Sequence, residues 1–203
     1  RGQVIFPQGE AQLDDDSTAL HYAAHRGSLA VAELLLDAGA EIDAKSAHGQ
    51  TPLADAVEAG ATSLVEMLLK RGADACGLGG DLPLAAAVVS ANQGLAELLI
   101  QHGADPRAAS LAYAVGQTVT RGDEGMLNML LRHGWPVDAP VPVSLPNDRP
   151  GIRDGRWSVT PLQYAVRVGL GLAHTLVRSN ANVNATDSEG WTPLRFALQG
   201  DGL

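Results

Sequence analysis

An all-α solenoid of stacked helix-turn-helix units is the fold this sequence predicts, and two recurring phrases predict it. The first phrase closes a helix: Leu35-Leu36-Asp37-Ala38-Gly39-Ala40, Leu68-Leu69-Lys70-Arg71-Gly72-Ala73, Leu99-Ile100-Gln101-His102-Gly103-Ala104 and Leu130-Leu131-Arg132-His133-Gly134. The glycines stand 33, 31 and 31 residues apart. A period of this size marks units that bury their apolar faces only against their neighbours. The second phrase opens a helix: Thr18-Ala19-Leu20-His21-Tyr22-Ala23-Ala24, Thr51-Pro52-Leu53, Leu82-Pro83-Leu84, Thr160-Pro161-Leu162 and Thr192-Pro193-Leu194. Proline suits the first helical turn, where its φ is pre-set and its missing N–H has no intrahelical partner to lose. Leu20, Leu53 and Leu84 each precede their closing glycine by 19 residues.

Together these phrases resemble the ankyrin repeat, which reads T-P-L-H-x-A-A, then G, then a leucine-rich second helix ending in G-A. The stretch Asn184-Ala185-Thr186-Asp187-Ser188-Glu189-Gly190-Trp191-Thr192-Pro193-Leu194 is similar to that family's hairpin linker. The resemblance covers residues 14–203 and implies an ankyrin-repeat solenoid with short β-hairpin linkers. The closing glycines are read as left-handed residues ending each second helix. In Leu176-Val177-Arg178-Ser179-Asn180-Ala181 the position falls to asparagine, the next best residue there.

The units follow in order. Residues 1–13 lack the pattern and are read as an extension or cap. Unit one covers 14–45, with helices near 19–26 and 29–38, and unit two covers 46–76 without a gap. Unit three, 77–107, has a shortened linker, Gly77-Leu78-Gly79-Gly80-Asp81. No G-K-[ST] follows those glycines, so they read as a tight turn instead of a phosphate cradle. Unit four, 108–138, departs most: Arg107 to Leu111 leaves no room for a finger, and Leu111 precedes Gly134 by 23 residues. The four extra residues lengthen either its first helix or its inter-helix loop. An insertion follows at 139–157, whose prolines at 140, 142, 146 and 150 preclude a helix and favour extended backbone. Unit five covers 158–185, with one residue missing after Gly169, and a partial sixth unit covers 186–203.

Composition narrows the function. Net charge is −9, lysine occurs only at Lys45 and Lys70, and no basic face is present to displace counterions from phosphate. Nucleic acid and anionic membrane surfaces are disfavoured as partners. No apolar run approaches the ~20 residues that cross a bilayer. The single cysteine, Cys76, forms no intrachain disulfide and fits a reducing, cytoplasmic setting. No apolar leader opens the chain, although export followed by removal of a leader would leave the same sequence. Ala- and Gly-rich, lysine-poor usage suggests a bacterial origin of high-GC coding.

Catalytic chemistry finds no candidates. His21 and His25 are four apart, as zinc ligands on a helix can be, but no third ligand accompanies them. His21 takes the family's T-x-L-H place, where the resemblance implies an imidazole bridging backbone between units. His102 and His133 precede closing glycines, where a cation suits a helix C-terminus. The run Asp14-Asp15-Asp16 suits a helix start and lacks the spread of a calcium loop. No nucleophile elbow, metal set or cofactor motif occurs, so neither an enzyme nor a cofactor is expected.

The resemblance implies protein–protein recognition through finger tips and the exposed face of the first helices. Carried onto this sequence, the contact positions are Asp14, Asp15, Ser17, His25 and Arg26, then Ala47, His48, Gln50, Glu58 and Ala59, then Arg156, Trp157, Val159, Arg167 and Val168, and last Ser188, Glu189 and Trp191. Asp55 joins them, because its counterparts are Tyr22, Tyr113, Tyr164 and Phe196, and a carboxylate there should be exposed or paired. The insertion adds Arg149 and Arg153 beside Arg156 and Trp157, the residue types most enriched in binding hot spots. A monomer holding one protein partner is expected, with 140–155 replaceable by a short linker. Two alternatives remain open: an inhibitor or immunity protein capping a toxic bacterial enzyme, and a small-ligand binder or enzyme roofed by the insertion.

Overall fold

The computed structural model describes residues 17–77, 82–144, 156–187 and 189–200. Its contacts divide into two compact parts, Arg1–Ala73 and Asp74–Leu203. The expected cap 1–13, the turn 78–81, Arg149 and Arg153 lie outside the described residues.

The first part holds two helix pairs, α1 (Ala19–His25) with α2 (Leu29–Asp37), and α3 (Pro52–Glu58) with α4 (Thr62–Lys70). Thr18 and Thr51 stand at the starts of α1 and α3 in extended backbone, and the Thr51 hydroxyl accepts the Ala54 N–H at 3.4 Å. Pro52 fills the first helical position of α3, as its phrase predicts. α1 packs on α3 and α2 on α4. The buried face of α1 is Leu20, Ala23 and Ala24, and that of α3 is Leu53, Ala56 and Val57. Spacings of three and four residues put these side chains on one stripe.

The second part runs α5 (Leu82–Val89), α6 (Gln93–Gln101), α7 (Ala112–Arg121), α8 (Glu124–Arg132), β1 (Val141–Ser144), β2 (Arg156–Val159), α9 (Pro161–Val168), α10 (Leu170–Arg178) and α11 (Pro193–Gly200). First helices stack in the series α5, α7, α9, α11, and second helices in the series α6, α8, α10. Buried Leu84, Ala87 and Val88 repeat the stripe on α5, and Leu111, Ala114 and Val115 repeat it at α7. At α11 the pattern changes. Leu194 holds the place of Leu53 and Leu162 yet is 68 % exposed, since no described helix follows α11 to cover it.

Second helices end as the glycine phrase predicts. Gly72 has φ +94°; its N–H bonds the Leu69 carbonyl while the Ala73 N–H reaches back to Leu68. This pair of bonds defines the Schellman ending. Asn180 adopts φ +64° with the same two bonds, to Val177 and Leu176.

Unit four resolves its extra residues into helix. A 3-10 turn, Ala109–Leu111, leads directly into the ten-residue α7, and Gly122 ends it in the left-handed conformation. The inter-helix loop stays short. The insertion is extended, as its prolines require, but it is a built element and not a bare loop. β1 and β2 pair antiparallel, Val141 with Val159, Pro142 with Ser158, Val143 with Trp157 and Ser144 with Arg156. Val141, Val143 and Val159 are all buried. Replacement of 140–155 would therefore remove two core valines, which corrects the expectation that this whole stretch is dispensable.

Backbone conformation gives the first test. Ala91 sits at φ +57° at the α5–α6 turn, a region costly for a side chain. Ala91→Gly should stabilise the protein by about 1 kcal/mol, whereas Gly72→Val should destabilise it by about 1–3 kcal/mol. A Cβ on Gly72 meets nothing within 4 Å, so the penalty there is backbone strain alone. Urea melts of the two variants measure both effects.

Candidate functional site

A finger turn and a bridging side chain recur at two places in this fold. At the first, the Gln50 carbonyl accepts from Ser46 N–H at 3.0 Å, and Gly49 N–H bonds the Ser46 carbonyl at 2.8 Å. His21, fully buried, joins this finger to α1. Its Nε2 donates to the Gln50 carbonyl at 3.0 Å, and its Nδ1 accepts the Thr18 N–H at 3.1 Å. Both ring nitrogens are thereby occupied, which removes His21 from any zinc pairing with half-buried His25.

At the second finger the same turn runs from Asp187 to Trp191, with bonds of 3.1 and 3.0 Å. Here Gln163 replaces histidine. Its Oε1 accepts the Thr160 N–H at 2.8 Å, and its Nε2 donates to the Trp191 carbonyl at 2.8 Å and the Ala185 carbonyl at 3.1 Å. A carboxamide thus presents one acceptor and one donor end just as the neutral imidazole does. Sequence reasoning missed this residue, although its place in Thr160-Pro161-Leu162-Gln163 matches His21 in Thr18-Ala19-Leu20-His21.

The finger tips and first-helix ends expose six of the expected contact residues and half-bury four. Arg26, Ala47, His48, Glu58, Ala59 and Glu189 are exposed, and Ser17, His25, Gln50 and Arg167 are half-buried. Gln50 Nε2 donates to Glu58 Oε1 at 3.2 Å, tying the first finger to the end of α3. Three positions lie inside instead. Val159 is 1 % exposed as part of the hairpin base. Asp55 is 4 % exposed and engaged by its surroundings, so the exposed alternative does not hold. Trp191 is 9 % exposed, because its ring meets Phe196 edge-on at 5.6 Å and the Arg195 guanidinium lies 4.1 Å over it. That tryptophan packs against α11 in the sixth unit. Asp14, Asp15 and Ser188 fall outside the described residues; Arg156 and Trp157 are placed by their backbone register in β2.

The hairpin arm is the feature that departs most from a regular repeat. β1 packs on α7, where Gly116 faces it. A Cβ at Gly116 would collide with the Pro142 carbonyl oxygen, so glycine is what allows strand and helix to approach. A glycine inside a helix usually weakens it, and that oddity was the available signal. Buried Val115, Thr118 and Val119 line the same helix, and the Thr118 hydroxyl is satisfied by the Ala114 carbonyl at 3.1 Å. Trp135, which follows Gly134 where other units carry alanine, is also buried.

A cavity of about 240 Å³ lies at the helix turns of the second part, lined by Thr120, Arg121, Gly122, Glu124, Gly169, Gly171 and Leu172. Among the described residues, none of 139–157 contributes to that lining. Among the described residues no group of three His, Cys, Asp or Glu is placed to hold a metal ion.

Comparison with known proteins follows this geometry. Residues 4–77 match the family model for ankyrin repeats. The chain is 40 % identical over 67 residues to delta-latroinsectotoxin-Lt1a of Latrodectus tredecimguttatus, covering 32 % of this chain and 6 % of that protein. It is 37 % identical over 68 residues to the 26S proteasome non-ATPase regulatory subunit 10 of Dictyostelium discoideum, covering 33 % and 29 %. The matched stretches thus span less than a third of either relative's length. Among solved structures, the human ASB11 ankyrin repeat domain superposes with a TM-score of 0.70 at 25 % identity, over 97 % of this chain and 90 % of that one. These sources are eukaryotic, so the compositional suggestion of a bacterial origin gains no support from them.

The bridging role can be checked directly. His21→Gln should retain most of the stability, because Gln163 already makes the equivalent bonds. His21→Ala should lose about 2 kcal/mol, since it leaves buried backbone groups unpaired. Denaturant midpoints of the two variants distinguish a bridge from simple packing.

Proposed function

This chain is an ankyrin-repeat protein, and we propose that it is a non-catalytic module that holds a protein partner through its first-helix ends, its finger tips and the hairpin arm at 139–157. The observation that carries this reading is the seating of the arm. Buried Val141 and Val143 with the Gly116 notch seat β1 against α7, and buried Val159 pairs with Val141 from β2. Loops raised on a rigid scaffold are where binding residues concentrate, and the stretch between the strands brings Arg149 and Arg153. The exposed Arg26, His48, Glu58 and Glu189 supply polar contacts at the other positions.

The reading extends to the chain's setting. A net charge of −9 argues against nucleic acid, and a lone cysteine suits a reducing compartment. No described helix is long and apolar enough to cross a membrane. A single chain meeting one partner is the simplest stoichiometry.

The test keeps both strands and exchanges only 145–155 for a Gly-Ser segment of equal length, after a partner has been recovered by pull-down from the source cell. Partner affinity should fall at least about tenfold, roughly 1.4 kcal/mol, with the thermal midpoint unchanged. Unchanged affinity would move the site to the finger tips and leave the arm a purely structural element.

A further inference from the structure

The two strands of the hairpin have unlike outer edges. In antiparallel pairing, residue pairs that exchange both backbone hydrogen bonds alternate with pairs whose N–H and C=O point outward. Pro142 pairs with Ser158, and proline has no N–H to exchange. That pair is therefore an outward one, and the ladder bonds run through Val141–Val159 and Val143–Trp157. The Pro142 carbonyl agrees, since it points off the sheet at Gly116 of α7. On the β1 side the edge is closed twice, by the missing donor and by the helix packed on it.

Among the described residues the β2 side has neither closure. The N–H and C=O of Ser158 point away from β1, and the same alternation turns those of Arg156 outward. β2 has β1 as its principal neighbour. Ser158 is exposed, and among the described residues no turn, loop or side-chain hydrogen bond outside the β1–β2 ladder reaches its backbone. The next outward position, Thr160, is already used: its N–H bonds Gln163 and its carbonyl accepts from Tyr164. The open edge is thus the backbone of Arg156 and Ser158, offering two donors and two acceptors at strand spacing.

We propose that this edge of β2 receives an extended, acidic segment of the partner, which adds to the hairpin as a third strand. An unpaired strand edge is complemented by another extended backbone. Charge selects the sign of the segment. Residues 139–160 hold Arg149, Arg153 and Arg156 against Asp148 and Asp154, a net charge of +1, while the rest of the chain carries −10. An acidic segment is repelled by most of this molecule and attracted to the arm. The inference rests on the reading that the arm binds a partner, and it specifies how.

The probe is a display library of random short peptides selected on the intact chain. Enriched peptides should carry net negative charge and bind Ser158→Pro at least about tenfold more weakly than the parent, with Ser158→Ala unaffected. Ser158→Pro removes only an outward N–H, so the Val141 and Val159 amides should keep their hydrogen-exchange protection. In the parent, the Arg156 and Ser158 amides should exchange fast when free and slowly with peptide bound. If the proline variant loses its ladder, peptides N-methylated at alternate positions put the question to the parent chain, and one of the two phases must abolish binding. The proposal is overturned if no such peptide is enriched, if binding ignores both Ser158→Pro and N-methylation, or if the two amides are already protected in the free chain. Loss of partner binding in the 145–155 exchange with failure of these edge tests would sink this inference alone; failure of both would sink the arm as a binding site.

Discussion

Helices of seven to ten residues, two to a unit, cannot close a core on themselves, and everything else in this molecule answers to that constraint. Such helices are marginal alone, because nucleation costs more than a few turns return. Within each compact part, each lays its stripe against the corresponding helix of a neighbouring unit. The first helices meet that demand with small side chains: Ala23 and Ala24, Ala56 and Val57, Ala87 and Val88, Ala114 and Val115 are all buried. Small residues let helix axes approach, while the bulk needed to fill the layer comes from leucines on the second helices, such as Leu64, Leu68, Leu95 and Leu99. The low aromatic content, 4 %, follows from this division.

Short helices also mean many helix ends, and each end leaves backbone groups without intrahelical partners. The fold satisfies them with repeated local devices and a few long reaches. Gly72 and Asn180 illustrate the local device at the second-helix ends. Arg121 of α7 illustrates the reach, its guanidinium donating to the carbonyls of Val88 and Val89 at the end of α5. The Asp138 carboxylate accepts the Asn182 N–H at 2.9 Å, joining the exit loops of units four and five. These bonds fix neighbouring units in register where apolar stacking alone would allow them to slide.

What could be read in the sequence was whatever is decided locally. A left-handed helix end requires glycine or asparagine, so Gly39, Gly72, Gly103, Gly134 and Asn180 marked the boundaries, and all five have positive φ. Proline after threonine likewise marked the starts of α3 and α9. Features decided by what packs around a residue, near or far along the chain, were illegible. Gly116 looks like an unfavourable helix residue until Pro142 is placed against it. Trp191 looks like an exposed anchor until Arg195 and Phe196 are seen around it. The valines at 141, 143 and 159 carry a strand's alternation, but neighbouring prolines obscured it. Pro142 is tolerated in a strand because its register position needs no N–H.

The irregularities of unit four form one coupled arrangement. Its linker lacks a finger, α7 begins from a 3-10 turn, Trp135 replaces alanine, and an insertion follows before unit five. Loss of the finger leaves a face of α7 for something else to cover, and β1 covers it through the Gly116 notch. Covering that face accounts for β1 and for the burial of Val141 and Val143. It does not account for what lies beyond them. A chain that needed only a patch could pass from Ser144 to its ladder partner Arg156 by a short turn. This chain instead carries residues 145–155, with three arginines within 149–156 on an otherwise acidic molecule. Stability explains the base of the arm, and recognition is what we propose for its length.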